Sequence, residues 1–298
     1  VKGREMNRVL ITGGAGFLGR NLIKGMLDKY HDIEIRAISR HENEIVEMIV
    51  TCNNDRRLKP IIGDIRDIDT TKYALSDVDT VIHLAAMKHV DFCDLCPSEA
   101  IAVNIMGTMN LLKLFTGDTF VGMSTDKAVE ATGCYGATKL LLEKLILEQA
   151  HKNPNQRYMI VRSGNIFGSS GSVIQRWKQQ IKQNNKVTVT NLEMTRFYID
   201  VNILVAFIIR IIERGENGKI YIPSQKTARL GDLAKAMVEL YGDKKTRIEV
   251  IGLREGEKMH EHLFSSSQKE IVTELKEEYS ERGGKLSLDE IKDWLSNC

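Results

Sequence analysis

Tyr135 and Lys139 lie four residues apart in Tyr-Gly-Ala-Thr-Lys, a spacing that puts both side chains on one face of a helix. An ammonium beside a phenol lowers its pKa, and such a tyrosine is a general base for a hydroxyl undergoing oxidation. Alone, the spacing is common and equally describes a surface helix face. A second feature stands at the start of the chain, where Arg8-Val-Leu-Ile-Thr-Gly-Gly-Ala-Gly-Phe-Leu-Gly19 reads as strand, glycine turn and helix start. Gly13, Gly16 and Gly19 have the spacing GxxGxxG. They permit a tight turn and let the backbone approach a pyrophosphate, which rests on the helix N–H groups. Its place at the head of a βαβ series separates this loop from a glycine-rich turn with no ligand.

The dinucleotide contacts expected at the loop are Gly13, Gly16, Phe17, Leu18 and Gly19. About twenty residues on, where an acidic residue usually holds the ribose of NAD, the chain reads Ser39-Arg40. A guanidinium pairs with a 2′-phosphate through charge-assisted bonds, so Arg40 favours NADP over NAD. The competing reading is a solvated arginine paired with Glu42. Asp64 and Ile65, after the next strand, are placed against the adenine. Ala85 and Ala86 leave room for the cofactor backbone, and Tyr135 and Lys139 complete the set.

These residues need elements to carry them. Short apolar runs at Val9–Ile11, Ile33–Ile38, Pro60–Ile62, Val81–Leu84, Thr119–Met123 and Tyr158–Val161 alternate with amphipathic stretches such as Gly19–Lys29, Ala100–Phe115 and Ala137–Gln149. Regular alternation predicts an α/β fold with a doubly wound parallel Rossmann sheet over 6–168. Beyond it the pattern loosens into a smaller, interwoven substrate lobe over 169–266, with segments near 195–225 packing back on the sheet. Val187–Thr190 and Lys219–Ile222 are strand-like; Ile203–Glu213 and Leu230–Tyr241 are helix-like. The charged tail over 267–298, with helical spacing at Leu288–Leu295, is expected to be a solvated helical appendage. Residues 1–5 read as an expression remnant before a native start at Met6.

The 298 residues are enough for about two domains. Lys+Arg at 42 against Asp+Glu at 40 excludes a generically basic nucleic-acid binder. Cys52, Cys93, Cys96, Cys134 and Cys298 are too few and scattered for a disulfide scaffold, which points to reduced thiols and a soluble cytoplasmic protein. Cys93-x-x-Cys96 lacks the further ligands a zinc site needs, so no metal is expected. The run Val201–Ile212 is too short to span a bilayer, and no membrane partner is expected. His83 and His89 read as satisfied structural histidines.

A series of further segments carries a resemblance: Thr12-Gly-Gly-Ala-Gly16, Ala85-Ala-Met-Lys-His-Val90, Ser124-Thr-Asp-Lys-Ala128, Tyr135-Gly-Ala-Thr-Lys139, Gly164-Asn-Ile-Phe-Gly168, Gly171-Ser-Val-Ile174, Met194-Thr-Arg-Phe197 and Arg254-Glu-Gly-Glu-Lys258. From about Asn7 to Leu263 the chain resembles the extended short-chain dehydrogenase/reductases that act on nucleotide sugars. Within them it is most similar to the inverting UDP-N-acetylglucosamine 4,6-dehydratases.

The resemblance implies oxidation at C4, loss of water across C5 and C6, and reduction at C6 with inversion at C5. It assigns Lys127 as base at C5, Asp126 as acid at C6, and Thr125 to the O4 region of the sugar. The acid must then be held protonated and the lysine neutral. UDP-N-acetylglucosamine is the implied substrate. For its diphosphate we place Arg196 and Arg254, since arginine forks phosphate oxygens. Glu257 is placed at the uridine ribose, Asn165 at the diphosphate or sugar, Lys88 at the rim, and Ser172 and Val173 at the base. A homodimer or larger homo-oligomer, through helices at Ala100–Phe115 and Ala137–Gln149, is also implied. The chain departs from the family pattern in the proline-free loop Val129–Cys134, at Ser163 and at Glu255, positions that bear on selection of the 2-substituent. Two other outcomes stay open: a 4-epimerase or retaining dehydratase, and a catalytically silent NADP-binding protein.

Overall fold

The computed structural model describes residues 6–169, 171–254, 256–265, 272–273 and 284–296. The expected N-terminal remnant, and much of the tail, lie outside these residues. The strands are β1 (Arg8–Thr12), β2 (Glu34–Ser39), β3 (Leu58–Ile62), β4 (Thr80–His83), β5 (Thr119–Thr125), β6 (Arg157–Ser163), β7 (Asn165–Ile166), β8 (Lys186–Val189), β9 (Thr195–Ile199), β10 (Ile220–Tyr221), β11 (Lys226–Arg229), β12 (Arg247–Val250) and β13 (Val272–Thr273). The helices are α1 (Phe17–Lys29), α2 (Glu42–Thr51), α3 (Ile68–Ala74), α4 (Val90–Leu95), α5 (Pro97–Ile101), α6 (Gly107–Leu114), α7 (Cys134–Lys152), α8 (Val173–Asn184), α9 (Val201–Arg214), α10 (Leu230–Tyr241) and α11 (Leu288–Ser296). A π-helical turn over Ala102–Met106 fuses α5 and α6 into the long helix that the pattern predicts.

All six apolar runs of the N-terminal half become strands of one parallel sheet, in the order β13-β10-β6-β5-β4-β1-β2-β3. Val9, Leu10 and Ile11 are wholly buried, as expected for a parallel strand covered by helices on both faces. The chain moves outward from β1 to β3, then resumes at β4 on the other side of β1. That reversal opens a crevice at the carboxyl ends of β1 and β4, where open α/β sheets bind their ligands.

The C-terminal part threads back into this layer. In α9, Leu204, Ile208 and Ile211 share a core cluster with Val9 and Ile11, and β10 and β13 extend the main sheet beyond β6. A separate core holds Trp177, Ile174, Val187, Leu233 and Met237, under the small sheets β11-β9-β7 and β12-β8. Strands β7, β9 and β11 are too short and too mixed in polarity for the sequence pattern to reveal. Among the described residues no helix is long and apolar enough to cross a membrane.

The solvated-appendage expectation for the tail is corrected. Helix α11 buries Ile291 and Leu295 in the core of the second lobe, and Trp294 packs edge-on against Phe167 with ring centroids 5.1 Å apart. The Tyr241 hydroxyl donates to the Leu295 carbonyl at 2.8 Å. Charge density misled here because only one narrow stripe of the helix is apolar. Ile291→Ala is therefore expected to lower stability in urea unfolding by about 2–4 kcal/mol. A change below a few tenths of that would show that the helix is an appendage after all.

Candidate active site

Gly13 follows β1 with φ of +69°, and a Cβ there would stand 2.9 Å from the Ala85 nitrogen. At Gly19 a Cβ would stand 2.4 Å from the Gly14 carbonyl oxygen. Both positions therefore admit only glycine, and the backbone folds into a cradle at the crevice. Gly16 caps α1 without a side-chain bond, leaving the first-turn N–H groups available to an anion. This arrangement fits a dinucleotide pyrophosphate, with Phe17 and Leu18 as the first residues of the helix.

The other expected dinucleotide residues converge on the same edge. Ser39 ends β2 with Arg40 beyond it, Asp64 and Ile65 follow β3, and Ala85 and Ala86 follow β4. One Arg40 guanidinium nitrogen lies 3.8 Å from Asp64 Oδ2, an oxygen that Arg66 also holds at 2.6 Å. Beneath the crevice His83 is wholly buried, bonded to Thr12 at 2.7 Å and Thr108 at 2.9 Å. Burial, then the charge of Lys139, push its pKa down to about 3. His83 is a structural bridge, as its position in an apolar strand suggests.

The residues expected to carry the reaction gather at the end of β5. Thr125 caps a single 3₁₀ turn, Asp126–Ala128. Its hydroxyl donates to Asp126 Oδ1 at 2.9 Å, and Lys127 Nζ donates to the same oxygen at 3.0 Å. Asp126 is wholly buried, and its Oδ2 accepts no hydrogen bond among the described residues. The Tyr135 phenol lies near enough for Thr125 and the Asp126 charge to act on it. Thr125, Asp126 and Lys127 thus form one hydrogen-bonded group at the strand end, with Tyr135 of α7 beside it.

The expected lowering of the Tyr135 pKa by Lys139 is corrected. Burial chiefly, then the Asp126 charge, push the phenol well above its ordinary value, and only Thr125 acts downward among the leading influences. Lys139 is itself driven down to about 8 by burial, with Glu143 opposing the shift. Proximity in sequence identified the pair, but burial of both groups sets their proton affinities.

The residues placed at the nucleotide end divide into two groups. Arg196 is buried; Nη1 donates to the Thr195 carbonyl at 2.8 Å and Nη2 lies 3.5 Å from Glu257 Oε1. Arg254 is half-exposed and reaches across to α4, where Nη1 bonds both Asp91 carboxylate oxygens at 2.7 and 2.9 Å. Asn165 donates to the Phe197 carbonyl from β7. Ser172 and Val173 open α8. Lys88 follows β4, its pKa lowered by burial.

Sequence reasoning missed Asp91, Glu143, Arg162 and Glu261. Arg162 and Glu143 form a fully buried bidentate pair at 2.9 and 2.7 Å. The available signals were a charged residue ending an apolar strand and a glutamate four residues after Lys139 on the same helix.

A model of the family described as polysaccharide biosynthesis protein matches residues 9–282. The chain is 35% identical over 296 residues to a UDP-N-acetylglucosamine 4,6-dehydratase (inverting) of Campylobacter jejuni, covering 97% of this chain and 87% of the relative. It is 37% identical over 268 residues to a UDP-glucose 4-epimerase of Rickettsia bellii, covering 87% and 78%. Among solved structures, Pen from Bacillus thuringiensis superposes with a TM-score of 0.89 at 31% identity, covering 99% of both chains.

The depressed His83 pKa carries a stability signature. The folded state binds this proton only near pH 3, whereas an unfolded histidine binds it near its ordinary value of 6.5. Below that value the unfolded chain holds more protons, so stability is lost as pH falls from 6.5 toward 3. Between pH 7 and pH 5 the loss from this group is expected to be about 2 kcal/mol. Urea unfolding of wild type and His83→Gln at both pH values checks it; equal losses in the two proteins would refute the assignment.

Proposed function

The chain belongs to the polysaccharide biosynthesis protein family and to the nucleotide-sugar dehydratase and epimerase class of enzymes, and from that premise we propose that it is a UDP-N-acetylglucosamine 4,6-dehydratase that inverts C5. The observation that carries this reading is the pair of buried Asp126 and part-exposed Lys127, 3.0 Å apart beside Thr125 and Tyr135. Its product would be UDP-2-acetamido-2,6-dideoxy-β-L-arabino-hexos-4-ulose.

When bound, a nicotinamide dinucleotide supplies the acceptor for the C4 hydrogen and later returns it to C6. The cradle of Gly13, Gly16 and Gly19 would hold its pyrophosphate, and Arg40 would select NADP. Tyr135 takes the O4 proton, leaving a ketone at C4 that acidifies the C5 proton. Water loss then needs a neutral base and a protonated acid together. One proton moving from the Lys127 ammonium to Asp126 along the 3.0 Å bond produces both at once, with no net change in charge. Lys127 then removes the C5 proton. Asp126 gives its proton to the departing C6 hydroxyl, restoring the ion pair. The Asp126 oxygen without a partner is suited to that donation. A proton delivered to the opposite face of C5 completes inversion.

Arg254, Arg196, Glu257, Asn165, Lys88, Ser172 and Val173 would hold the UDP group and sugar. Ile101, Met106 and Met109 on the long α5–α6 helix and Leu141 on α7 are exposed, a face suited to a second copy of the chain. The Rickettsia bellii relative favours a second reading, 4-epimerisation, for which Tyr135 and Lys139 alone suffice.

Incubation with UDP-N-acetylglucosamine in D₂O separates the readings. Loss of one water with deuterium at an inverted C5 is expected. An isobaric product would establish epimerisation, retained C5 configuration a retaining dehydratase, and cofactor binding without turnover a silent protein. Lys127→Ala should slow water loss by at least about a hundredfold while cofactor still binds; persisting dehydration would remove Lys127 as the base. Arg40→Ala should weaken NADP binding by about tenfold and leave NAD binding unchanged. Equal effects on both would remove Arg40 from the 2′-phosphate site.

A further inference from the structure

A third carboxylate faces the Asp126–Lys127 pair. Glu261, in the segment that follows Lys258, is buried to 8% exposure. Its Oε1 lies 4.0 Å from Lys127 Nζ, and its Oε2 lies 3.7 Å from Lys258 Nζ. Lys258 is fixed from the other side by the Val129 carbonyl at 2.6 Å, just beyond the 3₁₀ turn that carries Lys127. Oε2 accepts no hydrogen bond among the described residues. A buried carboxylate is costly unless it serves neighbouring cations. Here the cations are two lysines, one of them the proposed base.

We propose that Glu261 is a positioning residue that presents Lys127 with a second carboxylate opposite Asp126 and stabilises the ammonium formed when Lys127 takes the C5 proton. This rests on the dehydratase reading. The charged and titratable groups around Lys127 are Asp126 on its own turn, Tyr135 of α7 and Tyr198 of β9 through Asp126, and Glu261 and Lys258 of the closing segment. Glu261 offers Lys127 a second carboxylate, and Lys258 shares the Glu261 charge.

Opposed charge changes test this. Glu261→Gln keeps the shape and removes the negative charge. It should move the acid limb of the kcat profile for water loss about one pH unit lower, lower the plateau about tenfold, and leave KM within about twofold. Lys258→Met leaves the Glu261 charge unshared and should move the limb to higher pH. Glu261→Asp should restore part of the wild-type profile. NADP binding and thermal melting are measured on each variant to establish that it is folded. Limbs that do not move, or that move together in both variants, would overturn the role of Glu261 while leaving a dehydrating wild type intact. A wild type that loses no water from UDP-N-acetylglucosamine would overturn both readings. Should Glu261→Gln fail to fold, the direction of the Lys258→Met limb alone decides, and a shift to lower pH there refutes the proposal.

Discussion

The buried pair of Glu143 and Arg162 is the joint on which the rest of the site depends. Two charges removed from water are tolerable only if each is paired and its remaining hydrogen-bonding capacity filled. The two Arg162–Glu143 bonds do the first. The Ser124 hydroxyl, donating to Glu143 at 2.6 Å, and the Leu263 carbonyl, accepting from Arg162 at 2.7 Å, contribute to the second. Four separate stretches of chain therefore meet at one point, and each carries reactive residues close by. Ser124 precedes Thr125, Asp126 and Lys127. Glu143 lies one turn beyond Lys139 and two beyond Tyr135. Arg162 leads into Asn165, and Leu263 lies two residues after Glu261. Loss of either charge strands the other in the interior, at a cost of about 3–5 kcal/mol, so the stretches cannot drift apart singly. Catalytic geometry and fold stability share the same bonds.

The site spends its fixed and movable cations differently. Arg196 is buried with Nη1 donating to the Thr195 and Met259 carbonyls, so it braces β9 against the segment that follows Arg254, while Nη2 stays beside Glu257. Arg254 is held instead by an exposed carboxylate, Asp91. Exposed pairs contribute about 0–1 kcal/mol, so a diphosphate can take the Arg254 fork from Asp91 at little cost. An arginine proposed to exchange partners is best paired at the surface, and one that holds two chain segments in register is best buried.

The sheet was legible in the sequence because its strands are short apolar runs between glycine-rich or polar turns, repeated in a regular alternation with helices. The glycine cradle was legible because Gly13 and Gly19 sit where any side chain would strike backbone. Tyr135 and Lys139 were legible through helical spacing, whereas their proton affinities were not: burial, a property of the folded whole, outweighs the neighbour that spacing reveals. The tail misled in the same way, since Ile291 and Leu295 are a thin apolar stripe in a charged segment and only the second lobe shows what they cover. Glu143 and Arg162 were hidden because they are charged residues used inside and paired 19 positions apart, and Glu261 because its contact with Lys127 comes from a distant part of the chain. Local pattern carries no information about such pairings.

Dehydration and epimerisation differ in what they demand of the end of β5. Epimerisation moves one proton and one hydride at C4, which a phenol, a lysine and a hydroxyl can serve. A buried aspartate beside a lysine adds nothing to that reaction and costs stability, because one carboxylate oxygen has no hydrogen bond among the described residues. Water loss across C5 and C6 does require an acid and a base within reach of adjacent carbons, in forms that a single proton shift can create. Asp126 and Lys127 lie on one short turn, joined through Asp126 Oδ1, where the proposed shift would pass directly between them. The unfavourable burial thereby has a chemical use in a dehydratase, and it has none in an epimerase.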